Sequence, residues 1–212
     1  MGISKEQTKL FAVTDRTWIG NRSLVDMVED AIKGGATMIQ LREKDRSVPG
    51  ILEDAEAIQK VCRAYHVPFI INDDIALAYK MGADGVHLGQ DDMSPKHARS
   101  TLGPDKYVGV IVHDEIEARL AVSGGANYLS VGCMYASPTR KDRASMTPEE
   151  LKRIVDTVPV PVIAFGGLTM ENVSILKGCG VSGIESCSGI FNSDNVLEHT
   201  KAFRKIADEL IG

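Results

Sequence analysis

Apolar and polar positions along the chain recur as one unit: a short apolar run, a polar turn, a stretch with apolar residues every three or four positions, and a glycine-containing stop. Runs this uniformly apolar fit parallel strands buried on both faces, and the three-to-four spacing predicts helices. The predicted strands cover residues 10–14, 37–41, 68–71, 86–88, 107–112, 128–131, 160–165 and 183–186. The predicted helices cover 23–33, 51–64, 75–81, 95–102, 115–122, a segment opened by Thr147-Pro148-Glu149-Glu150, 170–176 and 196–210. Local chemistry marks the ends. Ser23 and Asp114 are N-cap residues, Pro148 takes the first helical position with acids behind it, and Gly34-Gly35, Gly82 and Gly124-Gly125 are stops.

Strict alternation of eight strands with eight helices predicts an α/β protein, a single parallel (βα)8 TIM barrel, formed as one domain over residues 1–212. An open doubly wound sheet is the alternative, but eight regular units without a linker have a closed solution. In a barrel the chemistry gathers at the carboxyl ends of the strands, which is where candidate residues are sought.

Composition narrows the class. An apolar fraction of 43% supports a sizeable core, and a net charge of −5 with scattered cations and 5% aromatics speaks against nucleic-acid and membrane partners. The first fifteen residues lack the apolar core of a signal peptide, and no run approaches membrane-spanning length. Cys62, Cys133, Cys179 and Cys187 form no CxxC pair, so reduced thiols and a cytoplasmic location are expected. The sequence leaves open whether the chain forms a homo-oligomer.

Strands three and four run into Asn72-Asp73-Asp74 and Gln90-Asp91-Asp92. Asp73 and Asp92, on neighbouring strand ends, are candidate ligands for a hard cation such as Mg2+. N-capping is the competing role for such acids, and Asp74, next to Ile75, fits it best. Strand two ends in Gln40-Leu41-Arg42-Glu43-Lys44-Asp45, where alternation points Gln40, Arg42 and Lys44 the same way. In the upper lumen these three would bind a polyanion such as diphosphate, with Arg42 as a bidentate fork; a solvated strand end is the plainer account. The loop over residues 132–145 offers Ser137, Thr139, Arg140 and Lys141, hydroxyls and cations suited to gripping phosphate. Gly166-Gly167 after strand seven and Cys187-Ser188-Gly189 after strand eight occupy the usual barrel phosphate position. His87, within a strand, reads as a core histidine, whereas His113 ends strand five on the catalytic rim and is a further candidate. Two anion-binding regions and a cation pair on one rim point to Mg2+-assisted group transfer from a diphosphate to a second, monophosphorylated small molecule.

In order and spacing, LFAVTD (10–15), QLREKD (40–45), INDD (71–74), GADGVHLGQDD (82–92), the GG of strand seven and SGIF (188–191) resemble the thiamine phosphate synthase (thiamine-phosphate pyrophosphorylase) family, related to thiazole tautomerases, over nearly the whole chain. The resemblance implies a barrel that joins hydroxymethylpyrimidine diphosphate to hydroxyethylthiazole phosphate, releasing thiamine phosphate and diphosphate. It implies that Gln40, Arg42, Lys44 and Asn72 hold the pyrimidine diphosphate and that Asp73 and Asp92 bind Mg2+. The thiazole phosphate would fall to Ser137, Thr139 and Gly167 with Cys187-Ser188. In the family's reaction the bond to diphosphate loosens first, and cations such as Arg42, Lys44 and Arg140 stabilise the departing charge. Four positions depart from the pattern: Ile111 where Ser is usual, Arg140 where Lys is usual, Ser137 for Thr, and Cys133 for Pro. Tautomerase relatives carry a catalytic His at the last of these and tend to lose the NDD acids; this chain does neither. A tautomerase, and a barrel that binds a thiamine-pathway phosphate without turnover, are the alternatives, the latter kept by Ile111 and Arg140.

Overall fold

In the computed structural model, which describes residues 2–43, 48–132, 134–135 and 146–211, eight strands pair in parallel in chain order and the last pairs with the first. A short helix α1 (Lys5–Thr8) precedes β1 (Leu10–Val13), and then α2 (Leu24–Lys33), β2 (Met38–Leu41), α3 (Val48–Ala64) and β3 (Phe69–Asn72) follow. The series continues with α4 (Ile75–Met81), β4 (Gly85–Leu88), α5 (Pro95–Leu102), β5 (Tyr107–Val112), α6 (Glu115–Ser123) and β6 (Tyr128–Val131). It closes with α7 (Pro148–Thr157), β7 (Val162–Phe165), β8 (Gly183–Ser186), α8 (Ser188–Phe191) and α9 (Val196–Ile211). The predicted closed barrel is therefore the fold. Among the described residues no helix is long and apolar enough to cross a membrane.

The caps act as expected: Ser23 accepts from Asp26 N, Asp114 accepts from the amides of Ile116 and Glu117, and Thr147 with Glu150 forms a capping box at the start of α7. One predicted helix is corrected. Where a helix over 170–176 was expected, a single 3-10 turn, Val173–Leu176, connects β7 to β8. Asn172 clamps its entry, accepting from Thr169 N and donating to Gly167 O at 2.8 Å each, and Gly178 and Gly180, at φ 80° and 78°, end it at once. β7 begins at Val162 rather than 160 because Pro161 has no N–H to give the ladder.

Alternation divides each strand between two layers. Outward residues such as Ile39, Val86, Val108 and Leu129 join the helices in one apolar layer. Inward residues Phe11, Val13, Met38, Ile70, Tyr128 and Ile163 fill the lumen; each large apolar side chain buried this completely contributes about 1.5–3 kcal/mol. The amino-terminal end of the lumen is sealed. Ile3 packs into the same cluster, and α1 lies so close to β8 that a Cβ on Gly183 would collide with the Thr8 carbonyl oxygen. Above the apolar plug the lumen turns polar, with Gln40, His87, Ser130 and Glu185 all buried.

Candidate active site

The carboxyl ends of the strands enclose a cavity, with Gln40 and Glu185 low in it, Val13, Ile111, Tyr135 and Phe165 as apolar walls, and Asp15, Arg42, Asn72, Gly166-Gly167 and Cys187-Ser188 towards the mouth. Its floor is built by β2, β6 and β8. Glu185 is 7% exposed; its Oε1 accepts from Gln40 Nε2 at 3.2 Å and its Oε2 accepts from Ser130 Oγ at 2.7 Å. His87 Nε2 lies 3.9 Å from Oε2, and His87 Nδ1 lies 3.0 Å from Tyr128 Oη. Burial first, and then the charge of Glu185, push the Tyr128 hydroxyl well above its ordinary value, so it stays a neutral phenol.

The walls follow from two close approaches. Gly132 leaves room for the Phe165 ring, which an added Cβ would strike. Beyond β6 the chain crosses towards the end of β7, Met134 N donating to Phe165 O at 3.3 Å and Tyr135 N to Gly166 O at 3.0 Å. That crossing sets Tyr135 over the cavity.

At the mouth, Arg42 Nη1 donates to Asp15 Oδ2 at 3.1 Å, and the Arg42 amide donates to Thr14 Oγ1 at 3.0 Å. Gly166 and Gly167 have φ of 100° and 62°, a left-handed turn that brings backbone to the cavity edge without a side chain in the way. Cys187 and Ser188 lie where β8 passes into α8. Burial, with the Asp15 carboxylate behind it, pushes the Cys187 thiol up to about 12, which rules out a thiolate nucleophile near neutral pH.

Of the expected site residues, Gln40, Arg42, Asn72, Ile111, Gly167, Cys187 and Ser188 come together in this one cavity. Gln40 sits deep, its amide engaged with Glu185 rather than aimed at the mouth. Lys44, Ser137, Thr139, Arg140 and Lys141, with Cys133, lie outside the described residues. His113 is bound to α6, its ring Nδ1 and its amide both 2.8 Å from Glu117 Oε2. Asp74 is the α4 N-cap, accepting from Leu77 N at 2.8 Å, as its position predicts. Two residues escaped the sequence argument. Glu185 interrupts an apolar strand just as Gln40 does, and that interruption was its signal; Asp15 had none beyond its place after β1.

The acids of the expected cation pair stand on adjacent strand ends. Asp73 lies at φ 64°, its amide donating to His87 O at 2.8 Å, and it lines a second groove with Asp74, Met93 and His97 between α4 and α5. Asp92 Oδ2 accepts from Gly89 N at 2.6 Å, which commits one oxygen to its own turn. No group of three or more His, Cys, Asp or Glu among the described residues could hold a metal alone. Two hard carboxylates suit Mg2+ in the mode where waters and a substrate phosphate complete the shell.

The family model described as thiamine monophosphate synthase matches residues 10–190. The chain is 42% identical over 193 residues to the thiamine-phosphate synthase of Clostridium acetobutylicum, covering 91% of this chain and 92% of that one. It is 38% identical over 200 residues to the thiamine-phosphate synthase of Methanobrevibacter smithii, covering 91% and 95%. The solved thiamine phosphate pyrophosphorylase of Pyrococcus furiosus superposes with a TM-score of 0.88 at 32% identity, over 98% of this chain and 99% of that one. The chain therefore belongs to the thiamine monophosphate synthase family and is a transferase.

Proposed function

We propose that this member condenses hydroxymethylpyrimidine diphosphate with hydroxyethylthiazole phosphate in a Mg2+-dependent, dissociative reaction that yields thiamine phosphate and diphosphate. The observation that carries the reading is one cavity lined both by apolar walls, from Val13, Ile111 and Phe165, and by a paired arginine and a glycine turn. In the reaction, the bond from the pyrimidine methylene carbon to the diphosphate oxygen breaks, and its electron pair leaves on diphosphate. The thiazole nitrogen then donates its lone pair to that carbon. No protein nucleophile is called for, in keeping with the protonated state of Cys187.

Arg42, held in place by Asp15, would bind the diphosphate with Asn72, while Lys44 and Arg140 would add charge to the departing group. Gly167, Cys187 and Ser188 would hold the thiazole phosphate at the usual barrel position, helped by Ser137 and Thr139. Asp73 and Asp92 would hold Mg2+, which when bound supplies positive charge to the leaving oxygens. Free thiols at Cys62, Cys179 and Cys187 are in keeping with a cytoplasmic setting.

The test is formation of thiamine phosphate from the two purified substrates, with Mg2+ and again with a chelator. Product that requires Mg2+ is the expected outcome. Binding of either phosphate without product would overturn the reading in favour of a non-catalytic barrel, and isomerisation of a thiazole phosphate alone would overturn it in favour of a tautomerase.

A further inference from the structure

Glu185 has no task in the reaction as drawn. It lines the cavity, it is nearly buried, and among the described residues neither Lys nor Arg pairs with it. Arg42, the described cation lining the cavity, is paired with Asp15. A buried carboxylate is expensive unless its lone pairs are met. Gln40 and Ser130 meet one on each oxygen, whereas a carboxylate offers about four acceptor sites. His87 Nε2 stands 3.9 Å from Oε2, beyond hydrogen-bond distance, and the carboxylate lines the cavity with acceptor capacity left over.

We propose that Glu185 reads the N–H edge of a flat nitrogen heterocycle at the base of the cavity and offsets the positive charge that the ring acquires as its leaving group departs. In the reading above, on which this rests, the ring is the aminopyrimidine. The cavity then accepts its substrate in one direction only. The N–H edge meets the carboxylate, the ring lies between Ile111, Val13 and Phe165, and the diphosphate reaches Arg42. Reversal would set phosphate against Glu185. A carbonyl in place of the amino group would set acceptor lone pairs against the carboxylate, and a group built to meet a donor rejects an analogue that lacks it. Gln40 positions the carboxylate from β2 and Ser130 positions it from β6, so the floor is preorganised before a ligand arrives.

The test begins without chemistry or mutation. Calorimetric titration of the wild-type protein compares 4-amino-5-hydroxymethyl-2-methylpyrimidine with its 4-oxo analogue. The amino compound is expected to bind at least about tenfold more tightly, the size of one hydrogen bond to a charged group. Equal affinities, or no binding of either in the millimolar range, overturn the proposal. Glu185→Gln is then expected to abolish the preference and to lower kcat by about tenfold or more, with KM for the thiazole phosphate unchanged and melting temperature retained. A purely structural role would move stability and leave the amino-against-oxo ratio alone. A wild-type protein that prefers the amino ring but forms no thiamine phosphate would sink the synthase reading and leave Glu185 as the reader of the ring. Turnover without the preference would do the reverse.

Discussion

Asp15 and Arg42 face each other across the carboxyl ends of β1 and β2, Oδ2 to Nη1 at 3.1 Å, while the other Asp15 oxygen accepts from Thr17 N at 2.9 Å. One carboxylate thus caps the turn after β1 and fixes the direction of the only described cation lining the cavity. Asp15→Asn keeps the turn hydrogen bond and removes the charge. It is expected to raise KM for the diphosphate substrate about tenfold, with a smaller change in melting temperature. Arg42→Lys is expected to be as harmful, since an ammonium cannot reproduce the fork. Steady-state kinetics of both variants decide the matter; an unchanged KM in each would remove the pair from substrate binding.

Asp92 has two candidate tasks that separate cleanly. Its Oδ2 holds the Gly89 amide at 2.6 Å, a bond that Asp92→Asn can keep. Metal ligation it cannot keep equally well. Asp92→Asn is expected to lose Mg2+-dependent turnover by about 100-fold or more while unfolding at nearly the wild-type temperature. Titration of activity against Mg2+ is the measurement, and wild-type behaviour would exclude Asp92 as a ligand.

Ile111 forms part of the cavity wall at 7% exposure. Its carbonyl accepts from Gln90 Nε2 at 2.6 Å, a backbone contact that survives any side-chain change. Ile111→Ser is expected to preserve or raise turnover and to lower stability by roughly 2 kcal/mol for the lost buried aliphatic group. A large loss of kcat in a folded variant would mean that this wall is shaped around a different ligand.

One buried thiol, Cys62, and one half-buried thiol, Cys187, are expected to make stability fall with alkali. Burial, with Asp84 nearby, pushes Cys62 up to about 12, and Cys187 reaches about 12 as well, from an ordinary value of 9.0. Between about pH 9 and 12 the unfolded chain has released these protons and the folded chain has not, so the unfolded state binds fewer and unfolding free energy decreases as pH rises. Urea midpoints measured from pH 8 to 10.5 are expected to drop, and the slope to lessen in Cys62→Ala. A flat profile would mean that these thiols ionise freely in the fold.

The βα alternation was readable because several helices announce their start chemically, as at Ser23, Asp114 and Thr147, and because parallel strands are apolar on both faces. Elements of three or four residues, such as α1, α8 and the 3-10 turn Arg16–Trp18, are too short to carry any period. The Met170 region has helical spacing, yet the Asn172 clamp and two left-handed glycines confine it to one turn. In the site, polar residues at strand ends could be sorted by alternation alone, which brought out Gln40 and Arg42. His113 looked available on the rim because nothing in a linear reading favours its link to Glu117 four residues on. Glu185 shows in the sequence only as a break in an apolar run, because the network that keeps it inside joins β2, β6 and β8, three strands far apart in the chain.

With Ile3, α1 and the Gly183 contact stopping its lower end, the lumen among the described residues is a blind well that opens at the carboxyl ends of the strands. Whatever sits on the carboxylate floor must enter before the mouth fills and must leave after it empties. On the proposed reading the pyrimidine diphosphate would therefore load first, the thiazole phosphate second, and the diphosphate would depart before the joined product. In the proposed reaction, the seal that steadies the barrel from below would thus impose a queue on its traffic.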